Sequence, residues 1–240
     1  MSDLSELKLF TTGEHDCSYL EDQKATTLFV DPAAALDTDT YSALSELGFR
    51  RSGCHIYRPH CYDCAACISV RVAVHGFSAS RSQKRCIKRN SDLDITVTQQ
   101  PNMDEHYPLY ERYINARHAD GDMYPPNRQQ YLEFLNNPLG CTDYIEFRSA
   151  GKLIGCAVSD HLDNGLSAIY TYFCPEHTAR SLGRFAILYQ IERAKKLSLP
   201  YLYLGYWIKN CEKMNYKSQY QPLQLLINQQ WMSASAFDKP

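Results

Sequence analysis

Three cysteines recur at a fixed spacing, Cys61-x-x-Cys64-x-x-Cys67. Thiolates so spaced can converge on one zinc ion or an iron–sulfur cluster. A fourth ligand is needed, and Cys17, Cys54, His55 or His60 could supply it. Without metal, the same residues are reduced thiols in a tight loop, open to redox chemistry. A second chemistry lies just downstream. Arg81, Lys84, Arg85, Lys88 and Arg89 fall within one arc of a helical wheel, and Gln83, Cys86 and Ile87 face away. Five cations on one face repel each other, and a polyanion such as RNA relieves that repulsion through counterion release. Both features sit in the block 48–90, which holds nine Lys or Arg and a single acid, Asp63. The chain as a whole has a formal net charge of -2. The positive charge is therefore concentrated.

Ordered elements must hold these groups. Ser80 and Gln83 have capping-box spacing, so the basic helix starts at Arg81. Before it, ISVRVAV alternates as a strand over 68–74, with Arg71 on one face. Further upstream, 27–30 reads as a strand ended by Asp31-Pro32. A helix capped by Asp37 or Thr38 runs through Tyr41 and Leu44 to Gly48. A strand is expected over 93–98, and Gln99-Gln100-Pro101-Asn102 marks a boundary between regions 1–98 and 99–240. Beyond it, helices are expected over 104–119 and around 131–135. Three strands follow as a meander, 143–149, 152–160 and 165–173, joined by Ala150-Gly151 and Asp163-Asn164-Gly165. An amphipathic helix over 180–197, a strand over 202–207, a short helix over 210–216 and a last strand over 222–227 complete the chain. Arg180-Ser181-Leu182-Gly183-Arg184 opens the long helix, where backbone N–H groups and the positive helix end can hold an anion.

Composition sets the bounds. At 240 residues and 44% hydrophobic, the chain can bury a sizeable core as one large or two small domains. No apolar run approaches the ~20 residues of a membrane span, and the N-terminus has no signal-peptide pattern. Ten cysteines without such a signal point to a reducing, cytoplasmic setting.

Eight stretches together carry a family resemblance: TTLFVDP at 26–32, GFRRSG at 48–53, YRPHC at 57–61, CAACISVRV at 64–72, RHADGDM at 117–123, GLSAIYTYF at 165–173, RSLGRFAI at 180–187 and LGYWIKNCEKMNYK at 204–217. The chain resembles the bacterial leucyl-tRNA–protein transferases, relatives of the eukaryotic arginyl-tRNA–protein transferases. The resemblance implies transfer of leucine from leucyl-tRNA to the α-amine of proteins beginning with Asp or Glu, which enter the N-degron pathway. It also implies an α+β fold: a small Cys-bearing N-terminal α/β region joined to a GNAT-like acyltransferase domain. The eukaryotic relatives have Cys-x-x-Cys near the N-terminus where this chain reads Cys17-Ser18-Tyr19-Leu20, so Cys17, Cys61, Cys64 and Cys67 are the metal candidates here. Arginine as the transferred residue, a CoA-dependent acetyltransferase and a non-catalytic RNA-binding metal module are the competing readings.

The chemistry of such a transfer is modest. The ester is activated, and an α-amine of pKa about 7.7–8.0 is roughly a tenth neutral at pH 7. Positioning, an oxyanion donor and a proton for the departing ribose hydroxyl suffice, with neither a cofactor nor an acyl-enzyme. Tyr170, Tyr172, Tyr206 and Tyr216 could donate hydrogen bonds. Asp120, Asp122 or Asp160 could accept the ammonium. Arg51, Arg71, Arg117 or Lys213 could hold the acidic side chain, and His118 ends the helix before Asp120. Arg180 and Arg184 would join the basic helix in holding tRNA.

Overall fold

A computed structural model describes residues 4–121, 123–135 and 137–236. In the first part of the chain, β1 (Leu9–Thr11) precedes a two-residue pair, β2 (His15–Asp16) and β3 (Lys24–Ala25). Then come β4 (Thr27–Val30), α1 (Thr38–Glu46), and a hairpin of β5 (Arg50–Ser52) and β6 (His55–Pro59). Asp37 caps α1 by accepting a hydrogen bond from the Thr40 N–H at 2.8 Å. The strands form an antiparallel sheet in the order β1-β4-β6-β5.

The larger sheet draws on the whole chain. It contains β7 (Ile68–Ala73), and after the basic helix α2 (Arg81–Arg89) it takes β8 (Asp94–Thr98). Helices α3 (Met103–Arg117) and α4 (Arg128–Leu135) lead to the meander β9 (Thr142–Ser149), β10 (Lys152–Leu162) and β11 (Gly165–Phe173). Helix α5 (Leu182–Lys196) crosses over to β12 (Tyr201–Trp207). The short α6 (Glu212–Asn215), then β13 (Leu223–Ile227) and β14 (Gln230–Ser233), finish the fold. The eight strands lie in the order β14-β13-β7-β12-β11-β10-β9-β8. Strands from either side of residues 99–102 thus share one sheet. Helices and strands together make this an α+β protein. No helix among the described residues is long and apolar enough to cross a membrane.

Two sequence expectations need correction, and one element had no counterpart in the sequence reading. The helix expected over 180–197 is two pieces, a 3-10 turn Pro175–Arg180 and then α5, because Ser181 takes a left-handed conformation with φ 53°. The strand over 222–227 is not the last, since β14 pairs with it. The β5–β6 hairpin was not expected at all. Its Gly53 (φ +61°) allows a close approach to α4, donating its N–H to the Phe134 carbonyl at 2.8 Å. A Cβ there would lie 2.3 Å from the Glu133 oxygen.

One detail of the sheet positions everything that follows. The parallel strands β11 and β12 pair only over 165–167 with 201–203. Beyond that, β11 stays with β10 and β12 stays with β7, with a register shift between Tyr203 and Gly205. The two strands splay apart, and their facing edges are left without each other as partners. Helix α5 packs against β11 and β12 through Leu182, Phe185, Ala186, Ile191 and Ala194, all buried at helical spacing.

Candidate active site

Arg50 of β5 reaches into the splay. Its Nη1 donates to Ser167 Oγ at 2.7 Å and its Nη2 to the Ala168 carbonyl at 2.5 Å, both on β11. On its other side, its guanidinium lies against Gly205 of β12, where a Cβ would sit 3.4 Å from Arg50 Nε. Gly205 has φ +78°, so the bend of β12 and the room for Arg50 come from one glycine. The next residue, Tyr206, offers its backbone carbonyl to Lys217 Nζ, which also lies 3.3 Å from Met214 Sδ. Lys217 is 5% exposed. Burial, and after it the Arg50 charge, pushes its ammonium down to about 7 from an ordinary 10.5. Arg50 and Lys217 escaped the sequence reading. Arg50 is one of two adjacent arginines, and the setting of Lys217 is made by a backbone carbonyl that no motif encodes.

The residues singled out from sequence fall into distinct places. Arg51 and Asp160 close on each other, Nε to Oδ2 at 2.6 Å and Nη2 to Oδ1 at 2.8 Å, with side chains 1% and 0% exposed. Tyr41 and Thr142 donate to the same carboxylate at 2.8 and 2.6 Å. Every strong acceptor of Asp160 is taken, so this group holds the two halves of the chain together. Arg71 donates to Glu46 at 2.6 Å and to Gln224 at 2.7 Å, and is stacked 3.5 Å from the Tyr201 ring and 4.2 Å from Trp231. Lys213 and Asp120 pair with each other at 2.8 Å on the surface. Arg117 is exposed, and His118 contacts the Tyr113 hydroxyl at 3.1 Å, with burial holding its pKa down. Asp122 lies outside the described residues.

The tyrosines divide likewise. Tyr172 is fully buried, its hydroxyl 2.6 Å from His106 Nδ1 and 2.9 Å from the Tyr131 hydroxyl. His106 Nε2 lies 3.0 Å from Glu146. Burial keeps the imidazole neutral, while His106 and Arg148 outweigh burial to hold Glu146 below its ordinary value. A neutral imidazole that donates to Glu146 then accepts from Tyr172. Tyr206 donates to the Gly48 carbonyl at 2.9 Å. Tyr170, from β11, packs edge-on against Tyr113 and Phe134, and its hydroxyl makes no hydrogen bond to the described residues. Tyr216 is 44% exposed.

Two further clusters were expected, the thiols and the cations. A cavity of about 490 Å³ between the N-terminal segment and β12 is lined by Cys17, Cys61, Cys64 and Cys67. Burial, and then Cys17, Cys61, Cys64 and Cys211, pushes the Cys67 thiol up to about 12. Cys211, from the far end of the chain, is a member the spacing did not reveal. Among the described residues, no three His, Cys, Asp or Glu are set to hold a metal ion. The capping box of α2 is present in full, and Arg81, Lys84, Arg85, Lys88 and Arg89 are exposed on it. Arg180 makes a two-point pair with Asp92 at 2.7 and 2.8 Å, and Arg184 donates to Gln219 at 3.2 Å.

Comparison with known proteins adds sequence kinship to this geometry. Residues 15–85 match the family "Arginine-tRNA-protein transferase, N terminus", and residues 105–227 match "Arginine-tRNA-protein transferase, C terminus". An aspartate/glutamate leucyltransferase of Teredinibacter turnerae is 56% identical over 97% of this chain and 96% of its own length. Those of Saccharophagus degradans and Pseudomonas aeruginosa are 56% and 52% identical, each over 97% of this chain and 99% of their own. Among solved structures, the C-terminal domain of a putative lysylphosphatidylglycerol synthetase from Agrobacterium fabrum covers 69% of this chain and 51% of its own. Its TM-score is 0.44 at 13% identity, too low a likeness to bear on fold or function.

Proposed function

This chain belongs to the arginine-tRNA–protein transferase family, and we propose from that premise that it transfers leucine from leucyl-tRNA to the N-terminal α-amine of proteins beginning with Asp or Glu. The observation that carries this reading is 56% identity, over 97% of the chain, to a protein named for that reaction. The product carries an N-terminal leucine and is a substrate for N-degron proteolysis. The cytoplasm is its place, and free thiols at all ten cysteines suit that compartment.

The fold supports a GNAT-like acyltransferase region, 99–240, carried by an N-terminal Cys-bearing region, 1–98. An antiparallel meander, a crossover helix and a splayed parallel pair suit a substrate seated between β11 and β12. The exposed face of α2 serves the tRNA, with Arg180 and Arg184 beside it. In the reaction the neutral α-amine attacks the ester carbonyl, a tetrahedral oxyanion forms, and the ribose oxygen leaves with a proton. Tyr170 and Tyr216 are the tyrosines left to donate to the oxyanion, because neither hydroxyl is committed among the described residues, and Tyr170 stands on β11 itself. Tyr172 acts from behind it in the same strand, fixed by His106.

A zinc ion or iron–sulfur cluster on Cys17, Cys61, Cys64 and Cys67 belongs to the same reading. Thiolates are soft donors that suit either group, but the four line one cavity without converging, so the metal would have to draw them together. The transfer itself requires no cofactor, so the metal's part is to fix the N-terminal segment. Metal and sulfide analysis of the purified protein tests it, and a chain free of both refutes it.

Radiolabelled leucine or arginine on tRNA, offered with peptides beginning Asp, Glu, Asn or Ala, tests the reaction. Leucine incorporated only on Asp and Glu peptides is the expected result. Arginine in its place moves the chain to the other branch, acetyl-CoA turnover makes it an acetyltransferase, and tRNA binding without transfer leaves an RNA-binding module.

A further inference from the structure

Recognition of an acidic N-terminal residue needs a cation whose charge is not already neutralised. Arg51 is closed on Asp160, Arg71 on Glu46 and Lys213 on Asp120. Arg117 makes no ion pair with the described residues, but it stands exposed at the end of α3, whereas Arg50 and Lys217 meet at the β11–β12 splay. Their partners are a hydroxyl, two backbone carbonyls and a thioether, and neither makes an ion pair with the described residues. They border consecutive residues of β12: Arg50 lies on Gly205, and Lys217 is bound to the Tyr206 carbonyl.

We propose that Arg50 and Lys217 form a carboxylate-binding site at the β11–β12 splay, and that it takes the side-chain carboxylate of the substrate's N-terminal Asp or Glu. The identity of this ligand rests on the leucyl-transfer reading. Two neighbouring cations with no counter-ion among the described residues are costly in the free protein, and a carboxylate placed between them removes that cost. The Arg50 fork offers N–H groups beyond the two bonded to Ser167 and Ala168, and a planar carboxylate matches it. The flexible stem of Lys217 can follow the carboxylate through the one methylene that separates Asp from Glu. A neutral Asn or Gln fits the same space but leaves both charges uncompensated, so it is rejected electrostatically rather than sterically.

The test is leucine transfer to peptides beginning Asp, Glu, Asn and Gln by the wild type, Arg50→Gln, Arg50→Lys and Lys217→Met. Arg50→Gln and Lys217→Met should raise KM for Asp and Glu peptides by roughly 10–100-fold, as loss of a hydrogen bond to a charged group does. The Asp-over-Asn preference should fall by the same factor, KM for leucyl-tRNA should hold, and Arg50→Lys should keep part of the preference. A raised KM for leucyl-tRNA would mean that the pair holds a tRNA phosphate, and kcat falling equally on Asp and Asn peptides would mean that it holds the reaction's oxyanion. Either outcome overturns the proposal. Anisotropy of dye-labelled Asp and Asn peptides, without tRNA, gives a readout independent of transfer. A preference for Asp lost in Arg50→Gln supports the site, and one retained in both neutral variants refutes it. If the wild type transfers no leucine yet prefers the Asp peptide, the transfer reading fails and the carboxylate site stands.

Discussion

Arg50 and Arg51 are consecutive residues of one three-residue strand, and they lead opposite lives. Strand alternation sends them to opposite faces. Arg51 enters the seam between the N-terminal sheet and β10, where Asp160 meets it with two bonds and Tyr41 and Thr142 complete the carboxylate's shell. Arg50 enters the splay and finds only neutral oxygens. The first site is satisfied within the chain, and the second is satisfied only by something that arrives. The pair shows that a buried cation is not by itself a sign of function; what separates structure from recognition is whether its counter-ion is built in.

That contrast can be broken from either side. The largest effect is expected at the closed site. Asp160→Asn removes the charge that Arg51 answers and should destabilise the fold by about 3–5 kcal/mol, read from chemical denaturation, because an uncompensated guanidinium remains buried. A loss below about 1 kcal/mol would mean that water reaches the seam.

At the open site the sign reverses. Lys217 in the folded protein loses its proton near pH 7, and in the unfolded chain it keeps it to about 10.5. The unfolded state therefore binds more protons in that window, and wild-type stability rises as pH climbs through it. Lys217→Met removes the burden. It should be more stable than the wild type by on the order of a few kcal/mol at pH 6, with the gain shrinking to nothing above about pH 10.5. Equal melting curves at pH 6 and pH 9 for the two proteins would refute this.

Smaller effects sharpen the picture outside the splay. Each cation removed from the exposed face of α2, for example Lys84→Ala or Lys88→Ala, should lower the slope of log affinity for tRNA against log salt by about 1 and leave peptide KM unchanged. A slope that does not change would place the tRNA elsewhere. Least of all, Lys213→Ala should leave the melting temperature unchanged within error, since its bond to Asp120 lies in open solvent.

Legibility followed the same division. Periodic elements were readable, including the meander, α3 and the capped α2, because their signals are local: alternation, helical spacing, and a Ser-x-x-Gln cap. The β5–β6 hairpin was not, because GFRRSGCHIYRP reads as a supply of charge and has no clean alternation of apolar and polar residues. The site followed suit. Arg51, Arg71 and Asp160 stood out as candidates for holding substrate, but the oppositely charged partners that absorb the two arginines, Asp160 and Glu46, lie 109 and 25 residues away in the chain. Lys217 escaped because YKSQY looks like any polar stretch, and its burial is imposed by strands folded from elsewhere. Cys211 joins the thiols around Cys67 for the same non-local reason.

The short strand β5 has one more consequence, for how the protein fails. Arg51 fastens the hairpin to the body of the fold, and Arg50 one residue away reaches the splay. The hairpin cannot lift from β10 without withdrawing Arg50 from Ser167 and Ala168. Heat inactivation and hairpin release should therefore share one midpoint, leaving no temperature at which the protein is loosened yet still selective for its acidic substrate.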